Sequence, residues 1–192
     1  MRKATLIVTL LLISLFAFAG VASAESYQFE HGTGTAEDPY LVATADDLNG
    51  VRDYLSAHFK QTADIDLSGY ENWEPISEFT GTYDGNGHTV SNLTINRTSE
   101  DYIGLFGCTN GATIKNLGVI NASVSGSGYV GGLVGRTYSS STITNCYSTG
   151  SVSGGTYYVG GLVGYNYSST ITNCYSTGSV TGSYYVGGLV GR

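Results

Sequence analysis

Beyond Asp101 the chain has no carboxylate. All fifteen acidic residues lie between Glu25 and Asp101, and the residues that follow carry only Lys115, Arg136 and Arg192 as charges. A pair of carboxylates working as acid and base, the machinery of most glycoside hydrolysis, is thereby excluded from the downstream half. The three histidines, His31, His58 and His88, are scattered and none stands in HExxH spacing, so a zinc peptidase centre is excluded as well. There is no GxSxG elbow, no phosphate-binding loop, and no GxGxxG between strand and helix. Cys108, Cys146 and Cys174 make an odd number, and none belongs to a CxxC pair of the zinc or redox kind. No cofactor is implied.

Residues 1–24 read as an export signal: Arg2 and Lys3, an apolar run, then the small triplet Ala22-Ser23-Ala24, with cleavage expected after Ala24. A retained membrane anchor competes with that reading but usually lacks such a cleavage site. The expected location is secreted or at the cell surface, with no membrane span in the mature chain. That chain carries six basic against fifteen acidic residues, a net charge of −9, which argues against a nucleic-acid partner.

What the sequence has in abundance is repetition. YVGGLVG stands at 129–135, 158–164 and 185–191, with the degenerate YIGLFG at 102–107. The string T-[IV]-x-N recurs at 89–92, 113–116, 142–145 and 170–173, in steps of 24, 29 and 28 residues. A period in the twenties, built from short β-branched runs separated by Gly, Ser and Asn, predicts a solenoid over residues 62–192. Each coil reads as three short strands, so that apolar residues stack on their copies: Val90, Ile114, Ile143 and Ile171; Val130, Val159 and Val186; Leu133, Leu162 and Leu189. Alternation fails between Val130 and Leu133, which places a corner at the double glycine, where a Cβ repeated in every coil would clash. Asn92, Asn116, Asn145 and Asn173 are expected at turns of left-handed backbone joined by stacked amides. Cys146 and Cys174 fall in the slot held by Leu93 and Leu117, which reads as buried free thiols; a disulfide between stacked coils is the alternative, disfavoured because parallel side chains point the same way. Four glycosylation sequons, at Asn92, Asn96, Asn121 and Asn166, are close to chance frequency in so Ser/Thr-rich a chain and decide nothing.

Upstream, residues 25–61 read as a cap. Pro39-Tyr40-Leu41-Val42 is a short strand, and Thr44 opens a helix with Asp47 at its third position and Leu48, Val51 and Leu55 along one face. Such a helix would cover the open apolar end of the first coil.

The stretches GTAEDPYLVATADDLNGV, ADIDLSGY and FTGTYDGNGHTVSNLTI, followed by GGLVG repeats, resemble secreted and surface proteins carrying the GLUG motif, named for Gly-Leu-any-Gly. The motif stands as Gly132-Leu133-Val134-Gly135, Gly161-Leu162-Val163-Gly164 and Gly188-Leu189-Val190-Gly191, with Gly104-Leu105-Phe106-Gly107 as a further match. The resemblance covers nearly the whole mature chain. It implies an all-β, right-handed parallel β-helix of the kind found in bacterial and archaeal surface proteins and in the non-catalytic region of some immunoglobulin A metallopeptidases. It attaches no agreed activity to the motif.

Two acidic clusters are candidates for chemistry. Asp64 and Asp66, two apart on a strand, share a face and could hold calcium or act on polysaccharide, or both could simply face solvent. Asp84-Gly85-Asn86-Gly87 fails the EF-hand register and reads as a turn. Tyrosines recur in register, Tyr147 with Tyr175, Tyr157 with Tyr184 and Tyr158 with Tyr185, and form either an aromatic strip for sugars or proteins or ladders that stabilise stacking. The function expected is a non-enzymatic surface module for adhesion, binding or spacing, with glycans or surface proteins as partners. The alternatives are a polysaccharide-active enzyme and the non-catalytic front of a larger surface peptidase. Because the chain stops on a repeat strand, continuation, truncation or end-to-end self-association is also expected.

Overall fold

A computed structural model describes residues 26–192, so the export signal expected at 1–24 lies outside the described part. Strands make up 48% of the structure and helix 5%, wound into a β-solenoid of about five turns. Strand pairing is parallel throughout. The longest ladder runs through Tyr40–Val42, His58–Gln61, Thr82–Asp84, Thr113–Lys115, Thr142–Thr144 and Thr170–Thr172. A second joins Ile65–Asp66, Thr89–Ser91, Gly118–Gly126, Tyr147–Gly154 and Tyr175–Thr181, with Thr94–Arg97 also paired to Gly118–Gly126. A third holds Val130–Gly131, Tyr157–Gly160 and Tyr184–Gly187, and a fourth Phe106–Asn110, Val134–Tyr138 and Val163–Asn166. A later coil therefore contributes four strands, one more than the sequence suggests, because the corner inside YVGGLVG splits that segment between two sheets.

The interior is a bundle of identical-register columns. Phe59, Tyr83, Ile114, Ile143 and Ile171 stack in the first sheet; Ile103, Val130, Val159 and Val186 stack in the third. Leu105, Leu133 and Leu162 are wholly buried at the adjoining corner. One column departs from expectation. Val90 pairs with Ile65 and Val119 in the second sheet, not with Ile114 in the first, and Asn92 likewise sits at a different corner from Asn116, Asn145 and Asn173. The cause is local: the same strand-then-left-handed-Asn turn serves both corners, with φ of 58° at Asn92 and 53° at Asn116, so the string marks a turn without saying which one. The 24-residue step is the trace of this difference. Leu93 leaves the Leu117–Cys146–Cys174 slot for the same reason, its carbonyl accepting from Ser123 N–H.

Tyr40–Val42 and His58–Gln61, within the segment read as a cap, pair in the same ladder as the later coils. Between them helix α1, Ala45–Gly50, forms with a capping box: Thr44 Oγ1 accepts from Asp47 N–H at 3.1 Å and Asp47 Oδ2 accepts from Thr44 N–H at 2.9 Å. It buries Leu48, and Val51 in the following turn, in the common core. Inside the first coils, Tyr83 donates to Gln61 Oε1 at 3.1 Å while Gln61 Nε2 donates to the carbonyls of Ala63 and Thr89, satisfying the buried polar groups.

Candidate functional site

Asp64 and Asp66 flank buried Ile65 and both reach the surface, where each is committed to the next coil. Asp64 Oδ1 accepts from Thr89 N–H at 2.8 Å and lies 3.4 Å from His88 Nδ1. Asp66 accepts from Asn92 Nδ2 and Ser68 N–H, both at 2.9 Å, and from the Ser68 hydroxyl at 3.0 Å. These donors hold both carboxyls below their ordinary value, Thr89 N–H first for Asp64 and the Asn92 amide first for Asp66. Among the described residues no three His, Cys, Asp or Glu side chains gather as a metal-holding group.

Asp84 does parallel work. Its Oδ1 accepts from Asn86 N–H, closing the DGNG turn, and from Asn116 Nδ2, both at 2.9 Å, while Oδ2 meets Lys115 Nζ at 3.3 Å. Burial alone would raise this carboxyl; the Asn116 amide, Asn86 N–H and Lys115 outweigh it and lower it. Asn145 donates to Asn116 at 3.0 Å and Asn173 to Asn145 at 3.3 Å, continuing one amide chain headed by the carboxylate. An open groove of about 550 Å³ lies beside this pair, lined by His58, Lys60, Thr82, Asp84, Thr113 and Lys115. Asp84 is its single acid, so the groove offers no carboxylate pair.

The tyrosines form two kinds of array. Tyr147 and Tyr175 are stacked, their rings parallel within 2° and their centroids 4.9 Å apart. Tyr102, Tyr129, Tyr158 and Tyr185 form a longer column with successive centroids 4.9, 5.0 and 5.1 Å apart, each residue at positive φ. At a ladder rise of about 4.8 Å such rings lie on one another, so their faces are consumed by stacking and their edges and hydroxyls face outward. The sequence pairs Tyr158 with Tyr185 but does not extend the column to Tyr102 and Tyr129. Tyr157 and Tyr184 pair in register and are 46% and 66% exposed.

Beside that column runs one that sequence reasoning missed: Cys108, Arg136 and Tyr165 share a register, and Arg192 stands one rung further. The Arg136 guanidinium lies 5.1 Å from the Tyr138 ring centre and 5.9 Å from that of Tyr165. Arg192 lies 5.1 Å from Tyr185 and 5.8 Å from Tyr158. Arg136 Nε is buried without a hydrogen-bond partner among the described residues. Each member directly follows a Gly-Leu-x-Gly motif, but the occupants change from Cys to Arg to Tyr to Arg, so the column does not stand out as a run of one residue type.

The motif glycines have a steric reason. A Cβ on Gly135 would stand 2.6 Å from Gly107 O, Ile103 N and Tyr102 C; on Gly164, 2.5 Å from Val130 N; on Gly191, 2.6 Å from Val159 N. In each case the last glycine of the motif lets its strand lie against the Tyr-Val or Tyr-Ile backbone of the previous coil. Gly132 and Gly161 face Ser148 and Ser176, whereas Gly188 has open space. Leu189 is half-buried beside it. Cys108, Cys146 and Cys174 are free thiols. Cys146 N–H donates to Cys174 Sγ at 3.4 Å; the contact between the two sulfurs, with burial second, pushes the Cys146 thiol up, and the same contact lowers Cys174 to about 7.

No helix among the described residues is long and apolar enough to cross a membrane. The chain is 38% identical over 136 residues to a Gly-rich membrane protein, so named, of Evansella cellulosilytica, a match spanning 63% of this chain and 16% of that one. It is 40% identical over 141 residues to halomucin of Haloquadratum walsbyi, spanning 64% of this chain and 2% of halomucin. The chain thus corresponds to a small part of these relatives. A crystal structure of a candidate immunoglobulin A1 protease from Bacteroides ovatus superposes with a TM-score of 0.66 at 27% identity, covering 84% of this chain and 64% of that one. The model of the GLUG motif matches residues 126–153 and 155–181, each of them one coil of the solenoid described above. The chain thus carries two copies of the GLUG motif, at residues 126–153 and 155–181, in successive coils of its solenoid.

Proposed function

We propose that the chain is an exported, non-enzymatic module of the cell surface, whose solenoid spaces and presents a binding face. The observation that carries this is the fate of its acids: Asp64, Asp66 and Asp84, the candidates for chemistry, each commit Oδ1 to a hydrogen bond that fastens one coil to the next. Catalytic carboxylates need free oxygens aimed at a common reacting atom. The relatives support the placement, since one is named a membrane protein and another halomucin. A second reading, the non-catalytic portion of a larger surface peptidase, is favoured by the Bacteroides ovatus neighbour.

Antibody labelling of intact cells combined with an array of extracellular glycans tests the proposal. Surface labelling and saturable glycan retention without product release are expected. Release of shortened sugars by the wild type, lost in Asp64→Asn/Asp66→Asn, would replace this reading with an enzyme.

A further inference from the structure

The face built from the Arg136 column and the tyrosine column beside it sets a cation among aromatic rings without an ion-pair partner among the described residues. Arg136 joins none of the three ion pairs among the described residues. Its Nε has no acceptor, and the chain after Asp101 contains no acidic side chain. Glu78, an acid of an earlier coil, has its Oε2 occupied by the Tyr138 hydroxyl at 2.7 Å, and Asp101 stands near Tyr129. A guanidinium is a planar fork of five donors that suits a carboxylate or sulfate through two parallel bonds, and that of Arg136 has its buried Nε without an acceptor.

The spacing narrows the ligand. Arg136 and Arg192 are separated by the Tyr165 rung, so cations recur on every second rung, about 10 Å along the axis. Between and beside them stand neutral groups, the hydroxyl edges of Tyr129, Tyr158 and Tyr185, whose rings pack on one another, with the Tyr158 hydroxyl accepting from Arg192 Nη1 at 3.3 Å. A strongly acidic protein surface would ask for denser charge than this. A linear polymer with one anion per two sugars meets it: anion on arginine, neutral sugar hydroxyls on tyrosine hydroxyls.

We infer that the Arg136–Tyr165–Arg192 column, with the Tyr129–Tyr158–Tyr185 edge, is a binding site for acidic polysaccharide whose carboxylate or sulfate groups dock on the guanidinium of Arg136. The inference rests on the surface-module reading and adds the ligand class.

The test measures binding of the full chain, by calorimetry at low and moderate salt, to three oligosaccharides of matched length: hyaluronate, bearing carboxylate only; carrageenan, bearing sulfate only; and chitin, which is neutral. Either acidic sugar, or both, should bind, weakening as salt rises, and the preferred one identifies the anion. Arg136→Gln should lower that affinity about 10- to 100-fold, the range of a lost charge-assisted hydrogen bond pair. Arg136→Lys, which keeps the charge without the fork, should recover only part of it. Glu78→Gln should tighten binding by removing a like charge facing the ligand, a gain that a merely structural Arg136–Glu78 attraction would not produce. Equal binding of chitin, unchanged affinity in Arg136→Gln at unchanged melting temperature, or no binding to any of the three overturns the inference. Chitin binding alone would do so while leaving the surface-module reading intact; absence of the protein from the cell surface would remove that reading instead.

Discussion

Replacing Gly164 by Ala puts one methyl group into the seam between two coils. The new Cβ would stand 2.5 Å from Val130 N and 2.6 Å from Gly135 O and Tyr129 C, all backbone atoms that no rotamer change can move. Ordinary contact needs close to 1 Å more, so the two coils must part locally by about that distance. The ladder bonds that join the same two coils, among them Tyr129 N–H to Tyr157 O at 2.9 Å and Leu133 N–H to Leu162 O at 3.0 Å, lie in the path of that movement. Losing the better part of two such bonds costs about 1–2 kcal/mol, and overpacking strain adds about 1–3 kcal/mol. A total of about 3 kcal/mol corresponds, for a domain of this size, to a fall in Tm of about 6–12 °C. Gly188→Ala is the internal control, because nothing lies within 4 Å of its Cβ position and it should change Tm by about 1 °C or less. Thermal melts followed by far-ultraviolet circular dichroism would show both. Gly164→Ala melting with the wild type, or Gly188→Ala falling as far as Gly164→Ala, would refute the reading of the motif glycines as a close-approach column.

Other outcomes follow from the same geometry. Ile143 is 1% exposed between Ile114 and Ile171, so Ile143→Ala should cost about 2–5 kcal/mol by chemical denaturation, and Ile171→Ala, half-exposed, clearly less. Asp84, Asp64 and Asp66 are held below the ordinary carboxyl value of 3.8, so the stability they supply is complete above that pH and is lost as pH falls below it; Asp84→Asn should flatten the acid limb of a Tm-against-pH curve. With Cys174 lowered to about 7 and half-buried, while burial pushes Cys108 up to about 11 and Cys146 is raised, a thiol reagent at neutral pH should label one cysteine of the folded chain quickly and all three only after unfolding.

The parts of this fold that could be read from the sequence are those in which one rung predicts the next. Val130 and Leu133, three apart across two glycines, give away a corner because alternation cannot survive it. Thr44 and Asp47 give away the helix start because the capping box is a four-residue event. Val90 and Asn92 misled because their string is equally local: a turn motif fixes a backbone shape, while membership of a sheet depends on the length of chain between turns. Arg136 was silent for the opposite reason. Its place after a Gly-Leu-x-Gly motif recurs along the chain, but the occupants change from Cys108 to Arg136 to Tyr165 to Arg192, and the missing partner of its Nε is not a pattern in sequence at all. The commitment of Asp64 and Asp66 to Thr89 and Asn92 was hidden likewise, since both partners arrive from the following coil.

The amide chain that runs from Asp84 through Asn116 and Asn145 to Asn173 has a direction. Every asparagine gives a hydrogen toward the amino-terminal side and receives one from the other, so each rung presents the next with the same acceptor that it used itself. An aspartate can receive but has nothing to give, and it therefore marks where counting begins. A coil copied and inserted anywhere after Asp84 would find the partners that it needs on both sides; the same coil inserted before it would meet a carboxylate where it needs a donor. Lengthening such a protein by duplication is thus cheap in one direction from a fixed origin, and a single residue type records where that origin is.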